Sequence, residues 1–337
     1  MPELPEVETV RRGLANLIVG RTFAAVEHDT PKSFPNATAD VREFLIGANV
    51  TAVRRRAKVL MIDLSTDYTL VIHLKMTGQL VFVSKSAGPA GASAPENFSD
   101  ELKTFSGAAP RAVTPGLRVH ASKHLQPELE ATPGPEFKPG AKPLARGDAQ
   151  AEGGELRFGA GHPNDSLIGK LPDRSTRVTF TFGDGSHLYF NDQRKFGWIR
   201  LMPSVEVPNI DFMQKVGPEP LDADFTAAQF AERFKRRART SIKAALLDQT
   251  VIAGVGNIYA DESLWGAKIH PKRIVGTITE AEFKRLYTEL RAVMNLAIEK
   301  GGSTDKNYVN AEGKRGSYMD FARVFRREGK PCPRCHA

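Results

Sequence analysis

Cysteine is nearly absent from this chain. Its 337 residues hold two, Cys332 and Cys335, which excludes a disulfide framework and leaves a single Cys-x-x-Cys pair at metal-ligand spacing. Long apolar runs are missing as well: nothing approaches the roughly 18 consecutive apolar residues of a membrane-spanning helix. The opening Met-Pro-Glu-Leu-Pro-Glu has none of the basic, apolar and small-residue order of a secretory signal. A cytoplasmic or nucleoid-associated protein without a membrane partner is expected. Acidic residues are in deficit, 39 Asp and Glu against 47 Lys and Arg, for a formal net charge of +8, which favours an acidic partner such as nucleic acid. There is no heptad seam and no internal repeat, so a monomer is expected.

What the chain does contain is apolar residue enough, 41%, for two globular domains. Residues 5–17 read as a helix, because Pro5 suits a first turn where its missing N–H costs nothing, and Val7, Val10, Leu14 and Leu17 share one face. From about 22 to 83 the pattern turns to β-branched, alternating segments, among them Val50-Thr-Ala-Val-Arg, Val59-Leu-Met-Ile-Asp-Leu and Tyr68-Thr-Leu-Val-Ile-His-Leu. These suit antiparallel strands of a sandwich or barrel. Between about 85 and 157 roughly half the positions are Gly, Ala, Pro or Ser, which leaves little apolar surface to bury and reads as a disordered insertion. Strands resume in a hairpin, Arg177-Val-Thr-Phe-Thr-Phe and His187-Leu-Tyr-Phe around the turn Gly183-Asp-Gly-Ser. The first domain therefore spans 1–203 and brackets the insertion. Within 204–222, Val216-Gly-Pro-Glu-Pro-Leu reads as a hinge, since its prolines cannot continue a helix. Helical patterns at about 224–236, 240–248, 257–266 and 279–300 define an α domain over 223–307, followed by a tail over 308–337. The fold class is α+β, multidomain.

The sharpest chemical feature is the second residue. Removal of Met1 leaves Pro2 with a secondary amine whose pKa, near the α-amino value of about 8, keeps an unprotonated fraction at neutral pH that can attack an electrophilic sugar carbon. Glu3 and Glu6 lie beside that amine and one turn on, where a carboxyl can donate a proton or orient water. Each is also explained as charge compensation at a helix N-terminus, and Pro2 as a helix-start residue. Lys58 belongs to the basic run Arg54-Arg-Arg-Ala-Lys and, by itself, reads as part of a solvated face. Further on, Gly254-Val-Gly-Asn257 precedes a helix whose backbone N–H groups can face a phosphate, with Asn257 as cap and additional contact. Arg239 and Lys243 precede this element as candidate contacts to a DNA backbone, positioning it without reading its sequence.

Six segments occur in a telling order: Pro2-Glu-Leu-Pro-Glu-Val-Glu-Thr-Val-Arg-Arg-Gly, Arg55-Arg-Ala-Lys-Val-Leu, His73-Leu-Lys-Met-Thr-Gly, Asn191-Asp-Gln-Arg-Lys-Phe-Gly, Leu247-Asp-Gln-Thr-Val-Ile-Ala-Gly-Val-Gly-Asn-Ile-Tyr-Ala-Asp-Glu and His270-Pro. With them the chain closely resembles the formamidopyrimidine-DNA glycosylase family over nearly everything but the insertion. The resemblance implies an N-terminal β-sandwich flanked by helices, a helical domain with a helix-two-turns-helix element and a C-terminal zinc hairpin. The partner would be double-stranded DNA carrying an oxidised base or an abasic site, held between the domains. By similarity, the Pro2 amine attacks C1′ of the lesion nucleotide, Glu3 protonates the sugar oxygen, base loss leaves an imine, and β-elimination cuts the strand. Lys58 matches the family's active-site proton donor. Met76, Arg194 and Phe196 match a trio that fills the gap left by an everted base; without the resemblance they read as a strand-core methionine, a surface arginine and a strand-core phenylalanine.

Zinc is likewise an implication of the resemblance, and the site is incomplete. The family's hairpin carries two Cys-x-x-Cys pairs about 16 to 20 residues apart, and this sequence has the first alone; His336 adjoins Cys335 and is badly placed to complete it. The missing half also carries, in the family, an arginine serving phosphate contact and δ-elimination. Ser175 stands where relatives commonly have a histidine near the DNA backbone. A lesion-covering loop is expected from Gly301 to Tyr308 and on to Tyr318, as a mobile Gly-rich lid. Two alternatives stand beside the purine-specific reading. One is an endonuclease VIII-like enzyme for oxidised pyrimidines, against which Leu4 argues, since that branch usually begins Pro-Glu-Gly-Pro. The other is a damaged-DNA-binding protein without catalysis, against which Pro2, Glu3 and Lys58 argue.

Overall fold

The computed structural model of the chain describes residues 2–84, 156–161, 169–303 and 318–336. Most of the segment read as an insertion, and residues 304–317 of the expected lesion loop, lie outside the described residues.

Helix α1 (Leu4–Ile18) opens with Glu3, whose N–H donates to the Glu6 carboxylate at 2.8 Å and so satisfies an amide that a helix start leaves unpaired. Nine strands follow: β1 (Phe23–His28), β2 (Val50–Arg56), β3 (Val59–Leu64), β4 (Tyr68–His73), β5 (Gly78–Ser84), β6 (Leu156–Gly161), β7 (Thr176–Phe182), β8 (His187–Asp192) and β9 (Trp198–Pro203). They form two antiparallel sheets, ordered β1-β7-β8-β5-β6 and β2-β3-β4-β9. Alternation decides what each face meets. Leu80 and Phe82 of β5 enter the core with Phe180, Leu188 and Phe190, whereas Val81 and Val83 join Tyr189 on the outer face. From α1, Val7, Val10, Leu14 and Ile18 pack into the same inter-sheet core, so the sandwich expected from the sequence is present.

The sequence reading missed two elements here. Short helix α2 (Thr38–Phe44) interrupts the strand run and buries little beyond Val41, too few apolar positions for a periodic signal. Strand β6 begins within the stretch read as insertion and pairs in register with β5, Ser84 opposite Leu156 and Phe82 opposite Phe158. Phe158 is core, 1% exposed, and β6 starts at the edge of that stretch, whose expected end is near 157.

Beyond a short 3-10 turn (Ser204–Asn209), α3 (Asp211–Lys215) leads into the helical domain: α4 (Ala227–Lys235), α5 (Ile242–Leu247), α6 (Asn257–Gly266) and α7 (Glu280–Glu299). Thr226 and Thr279 cap α4 and α7, each accepting the N–H of the glutamine or glutamate three residues on, the capping-box arrangement. Leu4 of α1 leaves the sandwich and lies in this second core with Ile252, Val255 and Tyr259. The segment 216–221 has no regular structure, as its prolines require, yet it is fastened on both sides. Gly217 N–H donates to Gln249 O at 2.8 Å and Pro218 O accepts Ala253 N–H at 2.9 Å. Glu219 accepts from Arg55, Arg56 and the Ala57 amide. The expected hinge is pinned in this structure by a half-buried carboxylate between two guanidiniums. Among the described residues no helix is long and apolar enough to cross a membrane.

Candidate active site

Pro2, Glu3 and Glu6 stand where α1 enters the helical domain, and all three are buried. The Glu3 carboxylate reaches across to α6: it accepts the N–H of Gly256 at 2.8 Å and of Ile258 at 3.1 Å, acting as the anion at that helix's N-terminus. A Cβ on Gly256 would lie 2.3 Å from the carboxyl carbon, so only glycine admits this approach. Burial is the main force on the Glu3 proton. It raises the pKa to about 7, with the neighbouring Glu6 charge adding to the rise, while Lys58 and the α6 amides pull the other way.

The Glu6 carboxylate is fully engaged. Besides Glu3 N–H it accepts the Tyr259 hydroxyl and both the N–H and the hydroxyl of Ser303, each of the latter at 2.8 Å. This ties α1 to α6 and to the chain just past α7. Tyr318, where description resumes, donates its N–H to Gly302 O and packs on Tyr259 with ring centroids 5.4 Å apart.

Lys58 is not on a solvated face. It is 5% exposed and donates to the Val255 carbonyl at 2.9 Å across the domain boundary. Burial lowers its pKa, against the pull of Glu3 and Glu6. The basic run around it divides in consequence: Arg54 turns out to Asp63, while Arg55 and Arg56 turn in to Glu8 and Glu219. The run straddles the end of β2 at Arg56 and the turn that carries Ala57 and Lys58, so its side chains do not share one face.

Met76, Arg194 and Phe196 come together on the two turns that follow β4 and β8. The Arg194 guanidinium lies 4.9 Å from the Phe196 ring centroid and 3.5 Å from the Met76 sulfur. Met76 and Phe196 are 40% and 45% exposed, which overturns their reading as strand core: each sits in a turn, beyond the last core-facing strand position. The Met76 turn is held partly by His73, whose Nδ1 accepts the Lys75 N–H at 3.0 Å. Burial, then Lys75 and Lys58, push the His73 pKa down to about 4, so the ring stays neutral and able to accept.

In the helical domain the expectations are met unevenly. Gly256 is the cap of α6; Asn257 is its first residue, exposed. The Gly256 and Ile258 amides are taken by Glu3 instead of facing outward to a phosphate. Lys243 is paired with Asp261 at 2.8 Å. Arg239 is exposed. Ser175 is buried, its N–H and hydroxyl both donating to Asp173.

The tail is seated on α6. Glu262, 0% exposed, accepts the N–H groups of Arg323, Val324 and Phe325 at 2.8 to 2.9 Å, and Arg334 lies 3.8 Å over the Trp265 ring. Cys332 is half-buried and Cys335 exposed. The amides of Arg334 and Cys335 lower the Cys332 pKa to about 7. Among the described residues no group of three or more His, Cys, Asp or Glu could hold a metal, so this pair does not fit the four-ligand zinc that the resemblance implies.

Sequence reasoning gave no role to Tyr259, Ser303, His73, Thr77, Asp192, Glu219 or Glu262. Most fall inside the quoted segments, and the signal was there in the polar residues of those segments that periodicity leaves unexplained.

The comparisons agree with this geometry. Residues 1–112 match the formamidopyrimidine-DNA glycosylase N-terminal domain, and residues 216–308 match the formamidopyrimidine-DNA glycosylase H2TH domain. The formamidopyrimidine-DNA glycosylase of Pelotomaculum thermopropionicum is 32% identical over 336 residues, 99% of this chain and 91% of the relative. That of Chloroflexus aggregans is 34% identical over the same shares. A solved complex between the Lactococcus lactis Fpg and DNA containing an abasic site superposes with a TM-score of 0.68 at 26% identity, covering 99% of this chain and 92% of that one. The chain belongs to the formamidopyrimidine-DNA glycosylase family, DNA glycosylases of base excision repair.

Proposed function

We propose that this chain is a bifunctional glycosylase and lyase that removes oxidised purines, 8-oxoguanine and formamidopyrimidines, from double-stranded DNA and then cuts the resulting abasic site. The observation that carries the reading is Glu3: a buried carboxyl next to Pro2, its pKa raised to about 7, keeps a protonated fraction near neutral pH, where a fraction of the neighbouring amine is unprotonated. The Pro2 nitrogen forms a bond to C1′ of the lesion nucleotide as the bond to the base breaks. Glu3 gives its proton to the ring oxygen, which opens the sugar and leaves an imine between enzyme and deoxyribose. Removal of a C2′ proton then expels the 3′ phosphate by β-elimination, and water releases the product. Lys58, its proton affinity lowered by burial, is the second group able to exchange protons in that space. Met76, Arg194 and Phe196 fill the gap left by the everted nucleotide, whose loss of stacking and pairing costs a few kcal/mol.

The chain is taken to act as a monomer at the nucleoid, where its DNA lies. Borohydride trapping on an 8-oxoguanine:cytosine duplex tests the reading. A covalent adduct specific to the lesion and lost in Pro2→Gly is expected; duplex binding without any adduct would instead make the chain a damaged-DNA binder.

A further inference from the structure

The turns carrying Met76 on one side and Arg194 with Phe196 on the other come from separate strand connections, and one side chain joins them. Asp192, at the end of β8, is 0% exposed. One of its carboxylate oxygens accepts the Thr77 hydroxyl and, at 3.2 Å, the Arg194 N–H. The other accepts the N–H of Phe196 at 2.8 Å and of Gly197 at 2.7 Å. The Arg194 amide also points to the Thr77 hydroxyl oxygen at 3.2 Å, so the two turns share donors and acceptors directly. Between them Lys195 takes a left-handed φ of 56°, a conformation that a non-glycine residue holds only when its surroundings fix it. A Cβ on Gly197 would lie 3.2 Å from the same carboxylate oxygen and 2.6 Å from the Phe190 ring, which shows how closely the second turn is drawn onto Asp192.

We infer that Asp192 is a positioning residue that fixes the spacing between the two halves of the wedge, so that the gap left by an everted nucleotide meets a preformed plug. The inference rests on the wedge role proposed above. Side chains on untethered turns would have to be gathered at the moment of eversion, with a loss of conformational freedom that reduces the yield of the everted state. Asp192 itself touches neither DNA nor the reacting atoms in this assignment.

Asp192→Asn preserves shape but turns an amide N–H2 toward groups that are themselves donors. Thr77→Val keeps the volume and cuts only the tie to the Met76 turn. Both variants and the parent would be assayed in single turnover on two substrates: an 8-oxoguanine:cytosine duplex, and a single-stranded oligonucleotide with an abasic site, where no orphaned base needs a filler. We expect Asp192→Asn to lose about 10- to 100-fold on the duplex, the scale of the eversion cost, and Thr77→Val about fivefold, both staying within about twofold on the single strand. If neither variant loses duplex activity, the positioning role is refuted. Should Asp192→Asn lose both activities together, as a folding defect would, Thr77→Val decides: selective duplex loss upholds the role, and its absence overturns it. A parent chain inactive on both substrates would refute the glycosylase reading itself.

Discussion

At Glu3 and Lys58 the chain buries its functional groups to 4% and 5% exposure, whereas at Met76 and Phe196 it leaves 40% and 45% of two large apolar side chains in contact with water. The difference suits the roles proposed for the two regions. A proton donor gains from a dry setting, because desolvation moves pKa values toward neutrality. A filler gains from staying exposed until its partner arrives, since the apolar area it then buries contributes about 25 cal/mol per Å² to binding. The polar support differs accordingly: at Glu3 the hydrogen bonds reach the functional carboxyl itself, and at the wedge they reach the backbone behind it.

The largest effect expected on this contrast is at the buried pole. Glu3→Gln should lower base excision about 10²- to 10⁴-fold, the usual range for a general acid, with release from a preformed abasic site less affected. The pH profile supplies the sign. Glu3 has a raised pKa of about 7, so the proton it donates is present below that value and lost above it. Because the Pro2 amine gains its reactive form as pH rises toward about 8, the loss of the Glu3 proton should show as a fall in excision on the alkaline side of the profile, and that limb should vanish in Glu3→Gln. Pro2→Gly should reduce borohydride trapping about 100-fold with duplex binding retained, because the chain end keeps an amine but loses the ring that orients it. At the exposed pole, Met76→Ala and Phe196→Ala should each cost about tenfold on duplex excision and nothing measurable in melting temperature. A drop in stability would return them to the core role the strand pattern suggested. Within the basic run, Lys58→Ala should remove most activity while Arg54→Ala, on the outward face of β2, should change kcat/KM less than about threefold. The smallest effect is expected from joining Ser84 to Leu156 through an Asn-Gly turn in place of residues 85–155. These two are direct antiparallel partners, so a two-residue hairpin connection closes the gap, and excision within about twofold of the parent is the expected result.

The sequence was most legible where periodicity is long. Helices α4 to α7, the β2–β3–β4 run and the β7–β8 hairpin all occur near their expected positions, since each repeats its apolar pattern over several residues. It was less legible where a side chain's meaning depends on which turn it occupies. Met76 and Phe196 match core composition, and only their places past the ends of β4 and β8 expose them. The clamp at Glu219 is hidden for the same reason: prolines announce a break in helix, but nothing local reveals that Arg55 and Arg56, about 160 positions earlier, turn toward it. Asn257 shows a limit of another kind. The expected cap is filled by Gly256 because the Glu3 carboxylate occupies the space above it, and long-range occupancy of this sort leaves no trace in spacing.

The bond from Glu3 to Gly256 spans 253 positions of chain. During synthesis the amino end therefore leaves the ribosome long before the helix that orients its acid exists. In the proposed mechanism a nascent or prematurely ended chain carries the attacking amine without an aligned proton donor. The first residues thus gain their aligned acid only once the chain as far as Ile258 has been made and has folded back onto them.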